Sequence, residues 1–472
     1  MSTKKIVSGT VYYGIIPKLT IFINVLILPI ITPYLTTDDY GIQGIMYSYT
    51  SLFLAIAPLG LHVHLVNSFY EFGEKYNLVW GRILYLLLAL GLFFGILNML
   101  VLIFALPGLP LFKLVLLSFV GSIQIFFMSN SILAQHLFPI IERPKPLVLT
   151  NLCASLLGIG VSFVLIYYAK LGYWGLVSSV AVSTIVSFFA FVKYIWFDYD
   201  IWPILEYKSR RLKQLFRISL PLVPHALGFA LLISSARIVM SIYHVPYDEI
   251  GLFSHGCIMG DYAVIATSAL STALVASIQK YYRSQDYKKF RQLYYLCQWV
   301  AILSSILICL WMSEIYELLI HNESLSKSSY IASLVCFANI VMPLYSFMST
   351  TTFIEKNTIQ ILWLVFIPGF FNLISCLLFI PLWGYKVAVY STICAYWSQV
   401  AIPFFVNYYK KSVSLWLGNL WKLIGLLVLL ICALLISNVV SGFNIPIKIM
   451  ISLLLISVFV YWYYKNKIYS IV

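Results

Sequence analysis

Apolar residues run along this chain in long blocks separated by short polar punctuation. The blocks fall near residues 10–35, 41–69, 83–106, 114–138, 147–169, 173–192, 218–243, 251–278, 294–313, 330–353, 359–380, 387–407, 416–440 and 449–463. Each approaches or exceeds the roughly 20 apolar positions that an α-helix needs to cross a hydrocarbon core of about 30 Å. The pattern predicts an all-α, polytopic membrane protein of about fourteen transmembrane helices. Lys193 to Arg217 is the longest polar break and falls about half-way along. Proline and glycine recur within the blocks at Pro29, Pro58, Gly60, Pro221, Pro224, Gly228, Pro343, Pro368 and Gly369. They read either as kinks satisfied by neighbouring helices or as hinges.

Composition agrees with lipid as the main solvent. The 472 residues are 62% hydrophobic and 10% charged, with a mean hydropathy of +0.94, far too little charge for a soluble surface of this size. Met1 to Lys5 is a short basic start, and Lys18 interrupts the apolar run behind it with no small-residue cleavage site. The first helix is therefore expected to remain as a signal anchor. The eight cysteines are scattered singly through apolar segments, without a C-x-x-C or a histidine at ligand spacing. They read as buried thiols, with no metal site, catalytic centre or cofactor implied.

The net charge of +14 is distributed as a topology signal, and nucleic acid is not implied. With alternate loops assigned to opposite sides, 22 of the 30 Lys and Arg lie on the side of both termini, 5 on the other and 3 inside helices. Positive residues stay cytoplasmic, so both termini are expected there and the helix count is expected to be even.

Four landmarks recur in order at nearly one offset. Pro17-Lys18 matches Pro224-His225, Asp39-Tyr40-Gly41 matches Glu249-Ile250-Gly251, Glu142-Arg143 matches Glu355-Lys356, and Gly172-Tyr173 matches Gly384-Tyr385. A repeat of six helices returns to its starting side. The expected organisation is thus an N-terminal lobe (1–197), a cytoplasmic linker (198–217), a C-terminal lobe (218–410) and two extra helices (411–472). The two six-helix lobes would be related by an axis along the membrane normal.

The run Pro221-Leu222-Val223-Pro224-His225, then Arg237, then Glu249-Ile250-Gly251-Leu252-Phe253-Ser254 resembles the second-half signature of Wzx-type polysaccharide flippases. These form the polysaccharide transporter branch of the multidrug/oligosaccharidyl-lipid/polysaccharide exporter superfamily. Asp39-Tyr40-Gly41 is similar to that family's D/E-Y-G turn. Glu355-Lys356-Asn357-Thr358, Asn372, Pro381 and Gly384-Tyr385 resemble its later helices. The resemblance covers about residues 8 to 410. Two departures stand out: Ala236 precedes the arginine where an acid is common, and Gly384-Tyr385-Lys386-Val387-Ala388 replaces the usual G-x-x-G-A continuation.

What the resemblance implies is a flippase in the cell inner membrane. It would move an undecaprenyl-pyrophosphate-linked oligosaccharide to the outer leaflet for O-antigen, lipopolysaccharide or capsule synthesis, breaking no covalent bond. A polysaccharide polymerase and a chain-length regulator are the implied protein partners.

Ionisable groups at bilayer depth are costly and mark function or pairing. Lys18 lies seven residues past Val11, roughly 10 Å along a helix. It reads either as snorkelling or as a contact for the pyrophosphate. His225, its repeat counterpart, is a substrate-binding candidate or a neutral histidine bonded to a carbonyl. Arg237, six residues before Tyr243, either reaches outward or grips phosphate. His62 and His64 are spaced i, i+2, so one at most faces a cavity, and His62 is taken as the candidate. Asp261, ten residues into its block and so roughly 15 Å deep, is a coupling or structural charge, with His255 as a companion.

Two other functions remain open at this level. A membrane-embedded polymerase would need a substantial external loop, and the longest here is Glu314 to Ser329. A small-molecule exporter of the multidrug branch would favour intramembrane acids, whereas Lys18 and Arg237 outnumber Asp261.

Overall fold

The structure is a computed structural model and describes residues 16–205, 209–419, 421, 425, 442 and 444–466. Every element among the described residues is helical. Two compact units emerge from the packing, residues 1–251 and residues 252–472.

In the first unit the chain runs through α1 (Ile16–Ile31), α2 (Thr37–Ile56), α3 (His62–Phe72), α4 (Tyr76–Ala105), α5 (Leu111–Phe126) and α6 (Met128–Ile140). It continues through α7 (Pro144–Phe163), α8 (Tyr173–Val192), α9 (Ser209–Ser219) and α10 (Val223–Ile242). The core gathers Leu61, Leu65, Trp80, Leu84, Leu137 and Phe191, all fully buried. Trp80 carries a polar atom into that core and satisfies it, its indole N–H donating to the Leu65 carbonyl and the Ser68 hydroxyl at 3.1 Å each. The outward faces are the reverse: Phe104 and Phe112 are each 80% exposed. Large apolar side chains turned outward in this number suit a lipid solvent and not water.

In the second unit follow α11 (Tyr247–Asp261), whose first turn belongs to the first unit, α12 (Val264–Arg283), α13 (Tyr287–Leu310), α14 (Met312–Leu319), α15 (Glu323–Ser326) and α16 (Ser329–Ala338). Then come α17 (Met342–Ile354), α18 (Thr358–Trp383), α19 (Lys386–Phe405), α20 (Asn407–Leu417) and α21 (Ile445–Lys465). The expected loop from Glu314 to Ser329 is largely two short helices, α14 and α15. The apolar run at 416–440 lies almost entirely outside the described residues. Among those described, nine helices are long and apolar enough to span a membrane, or eleven with two bent pairs.

The prolines sort into distinct roles. Pro29 and Pro368 sit inside continuous helices. Pro221 opens a 3-10 turn, and Pro224 and Pro343 stand in first turns, where a missing N–H costs nothing. Pro58 is different. With Leu59 and Gly60 it ends α2 in a true interruption, φ being 46° at Leu59 and 70° at Gly60.

Candidate functional site

The interruption between α2 and α3 positions the first candidate. A Cβ on Gly60 would run into the carbonyl oxygen of Ser219 and press on Leu222, so only glycine lets this bend nest against the 3-10 turn Leu220–Leu222. His62 follows Gly60 by two residues and His225 follows Leu222 by three. The crossing of the two backbones therefore delivers both imidazoles to one place.

A third histidine joins them. His136, on α6, stacks on His62 with ring centroids 5.5 Å apart and planes 7° from parallel. The flanking Leu61, Leu65, Leu133 and Leu137 are fully buried, so the stacked pair lies at the margin of the core. His225 Nε2 is buried and has no hydrogen-bond partner among the described residues. The charge that bears on both His136 and His225 is that of His62.

His64 goes elsewhere, as its i, i+2 spacing requires. Its Nε2 donates to the Leu215 carbonyl at 2.9 Å, tying α3 to α9. His136 is the member that sequence reasoning missed. Its one signal in the sequence is that it is a lone ionisable group inside an apolar run; its meeting with His62 is set by helix packing.

The other candidates are dispersed. The Lys18 side chain lies outside the described positions, although its backbone belongs to α1. Arg237 is 6% exposed and folds back to donate to the Ile233 carbonyl on its own helix, at 3.3 Å. Nearby, α10 packs along α2, with the hydroxyl oxygens of Ser234 and Ser51 2.7 Å apart. In the second unit Asp261 stands at the 43° bend between α11 and α12. Its carboxylate accepts from the Asn339 amide at 2.9 Å, and Asn339 itself begins the 3-10 turn between α16 and α17. His255 is buried. Its Nδ1 is hydrogen-bonded to the Ser328 hydroxyl at 2.7 Å, which also contacts the Tyr316 hydroxyl at 2.9 Å. No group of three or more His, Cys, Asp or Glu suited to a metal ion occurs among the described residues.

Three half-buried imidazoles, one with an unpartnered buried ring nitrogen, have the chemistry to respond to an anion. Neutral, they tolerate the apolar margin; protonated, each presents two N–H donors. Two stacked rings repel when both are charged, so an anion between or beside them is what makes the doubly charged state favourable.

The family described as "Polysaccharide biosynthesis protein" matches residues 6–268. The chain belongs to that family. No curated protein matches the sequence at a significant level. Among solved structures the fold resembles the lipid II flippase MurJ in an inward closed conformation, with 14% identity, 92% of this chain and 98% of that one covered, and a TM-score of 0.63. It also resembles a multidrug resistance MATE transporter of the MOP superfamily in an inward-facing conformation, with 13% identity, coverages of 89% and 100%, and a TM-score of 0.62. A MOP superfamily transporter from Pyrococcus furiosus Vc1 follows at 14% identity, coverages of 84% and 94%, and a TM-score of 0.53. At these identities the likeness establishes the fold alone, the all-helical fold of those proteins; the nine to eleven spanning-length apolar helices among the described residues make it a multi-pass membrane protein.

Proposed function

We propose that this protein flips an undecaprenyl-pyrophosphate-linked oligosaccharide repeat unit from the cytoplasmic to the outer leaflet of the inner membrane, by alternating access, for cell-surface polysaccharide synthesis. The observation that carries the reading is the triad His62, His136 and His225, gathered where the α2–α3 break meets the opening of α10. Imidazoles rest neutral at apolar depth and become cationic donors when a diphosphate arrives to pair with them. The polysaccharide biosynthesis family and the fold shared with a lipid II flippase support the same direction.

Lys18 and Arg237 belong to this proposal as further cationic contacts. Asp261 and His255 are assigned as coupling or structural charges, and the hydrogen bonds of both favour the structural role. Both termini are placed in the cytoplasm, on the charge asymmetry of the loops.

Deletion followed by analysis of lipid-linked sugars tests the function. The expected result is accumulation of single repeat units on the cytoplasmic leaflet. Single units accumulating on the outer leaflet would instead indicate a polymerase and overturn the reading.

A further inference from the structure

The first unit contains a second polar feature, its polar residues on α2 and α5, the helices that precede the histidine-bearing α3 and α6 respectively. A cleft of about 370 Å³, its open mouth included, lies between α2, α5 and α8. It is an open cleft in which a ligand would lie against the wall and not be enclosed. From α2 it takes Gln43, Tyr47 and Thr50, a spacing of four and three that puts all of them on one helix face. From α5 it takes Gln124, one turn beyond Gly121, and α8 contributes only aliphatic side chains and an alanine. Among the described residues, no charged side chain lines it.

The polar wall is built and not incidental. Thr50 donates its hydroxyl to the Gly121 carbonyl at 3.2 Å. Behind it Asn98, fully buried in the apolar later part of α4, donates to the Ser122 hydroxyl at 2.9 Å and to Thr50 Oγ1 at 3.4 Å. A buried amide at this depth is expensive; here it fixes Thr50, a residue of the cleft wall. Tyr47 is 49% exposed, its ring available at the mouth.

The ligand chemistry follows by exclusion. A phosphate would need cations, and a cationic drug would need a carboxylate; the described lining offers neither. A purely apolar molecule would leave two glutamine amides unpaired. Amides that both donate and accept, a hydroxyl, one aromatic ring and an aliphatic floor match a neutral, polyhydroxylated ring. We propose that this cleft binds a sugar of the transported cargo, with Gln43, Tyr47 and Gln124 as the contacts and Asn98 as a positioning residue for Thr50. This rests on the reading of the protein as a flippase for a lipid-linked oligosaccharide, and it adds a sugar subsite separate from the histidines that face the diphosphate.

The test uses the full-length protein in proteoliposomes and two probes: the oligosaccharide-bearing lipid extracted from a strain lacking the protein, and sugar-free undecaprenyl diphosphate. The double variant Gln43→Ala/Gln124→Ala is expected to lose about tenfold in uptake of the sugar-bearing lipid while keeping its uptake of the sugar-free lipid. His225→Ala should lose both. Tyr47→Phe, which removes one hydroxyl at an exposed position, should show the same selective loss on a smaller scale even if the double variant folds poorly. If the wild type moves neither probe, the flippase reading itself is wrong. If the wild type moves the sugar-bearing lipid and Tyr47→Phe and the double variant move it equally well, or lose both probes together, the sugar subsite is wrong and the flippase reading stands.

Discussion

Asp39 accepts the backbone N–H of Tyr173 at 2.7 Å. The other oxygen of the same carboxylate takes the N–H and hydroxyl of Thr36 at 2.7 and 2.8 Å, and the Thr36 hydroxyl in turn accepts from Asp39 N–H at 3.2 Å. One side chain thus closes the capping box of α2 and pins the start of α8 to it. Gly172 makes this possible: at φ 52° it turns the chain, and a Cβ there would collide with the Asp39 carboxylate. The Thr36 cap bond to Asp39 N–H survives Asp39→Ala; losing the reciprocal half of the capping box costs about 1 kcal/mol or less, and losing the charge-assisted bond to Tyr173 about 1.5–3. Asp39→Ala is therefore expected to destabilise the first unit by roughly 2–4 kcal/mol, read as a lower melting temperature and lower membrane abundance. Asp39→Asn, which keeps one carbonyl acceptor, should lose about half as much. An Asp39→Ala protein that melts with the wild type would show that α2 and α8 hold together without this contact.

That contact also shows where sequence reading succeeds and where it stops. Asp39-Tyr40-Gly41 and Gly172-Tyr173 stood out separately as recurring landmarks, because capping and positive-φ turns leave local signatures. That the two touch is a matter of helix packing, which no local pattern encodes. The apolar blocks located the helices for the same local reason. The Pro58-Gly60 interruption was visible as residues but not as a nest for Ser219, and so the meeting of His62 with His225 was not visible either. His136 carries no motif. Arg237 was placed by depth along its helix, while its burial and its bond to the Ile233 carbonyl depend on what packs around α10.

The histidine cluster separates two kinds of histidine on one helix. His62→Ala, His136→Ala and His225→Ala are each expected to lower transport of the sugar-bearing lipid by about tenfold, the worth of a hydrogen bond to a charged group, at normal abundance. Lys18→Ala should do likewise if its ammonium meets the same diphosphate. His64→Ala should act differently, loosening α9 through loss of its bond to Leu215 and lowering protein level more than turnover per molecule. Transport normalised to purified protein distinguishes these outcomes. Equal specific activity for wild type and all three cluster variants would remove the histidines from the substrate path.

Gly60 offers a purely steric check on how the cluster is assembled. Gly60→Ala meets both a left-handed φ of 70° and the Ser219 carbonyl, so either the bend or the approach of Leu220–Leu222 has to give. A cost of roughly 2 kcal/mol or more is expected. The informative readout is the spacing of positions 62 and 225. It is measured by crosslinking the two thiols of a His62→Cys/His225→Cys double variant in a background without native cysteines. Crosslinking should fall when Gly60→Ala is added; unchanged crosslinking would show that another contact sets the register.

Towards the far end of the chain an ion pair helps to hold α21. Lys448, 1% exposed, meets the Glu314 carboxylate at 2.7 Å, and Glu314 is 29% exposed. One turn on, the Trp311 indole N–H donates to Ser452 at 3.0 Å, while most of α21 is otherwise turned outward. Burial works to raise the Glu314 carboxyl, yet the hydrogen bond from Lys448, a hydrogen bond from its own backbone N–H and the Lys448 charge together outweigh it and leave the group below its ordinary value of 4.5. A depressed folded value means that the stabilisation is complete above the unfolded value and is lost as pH falls through the folded one. Hydrogen exchange along 445–466, corrected for intrinsic rates, should be flat from neutral pH to about 5 and should accelerate only below about 4. Glu314→Gln strands a buried ammonium, so it should raise exchange in α21 by an amount corresponding to roughly 1–3 kcal/mol, the partial exposure of Glu314 keeping it under the fully buried figure. Its acid step should vanish, because the titrating group is gone. Replacing both partners, as Glu314→Leu/Lys448→Met, should restore protection, since an apolar pair needs no desolvated charge. A Glu314→Gln protein that keeps the wild-type acid step would place the titration on another group and leave α21 anchored mainly by Trp311 and its neighbours.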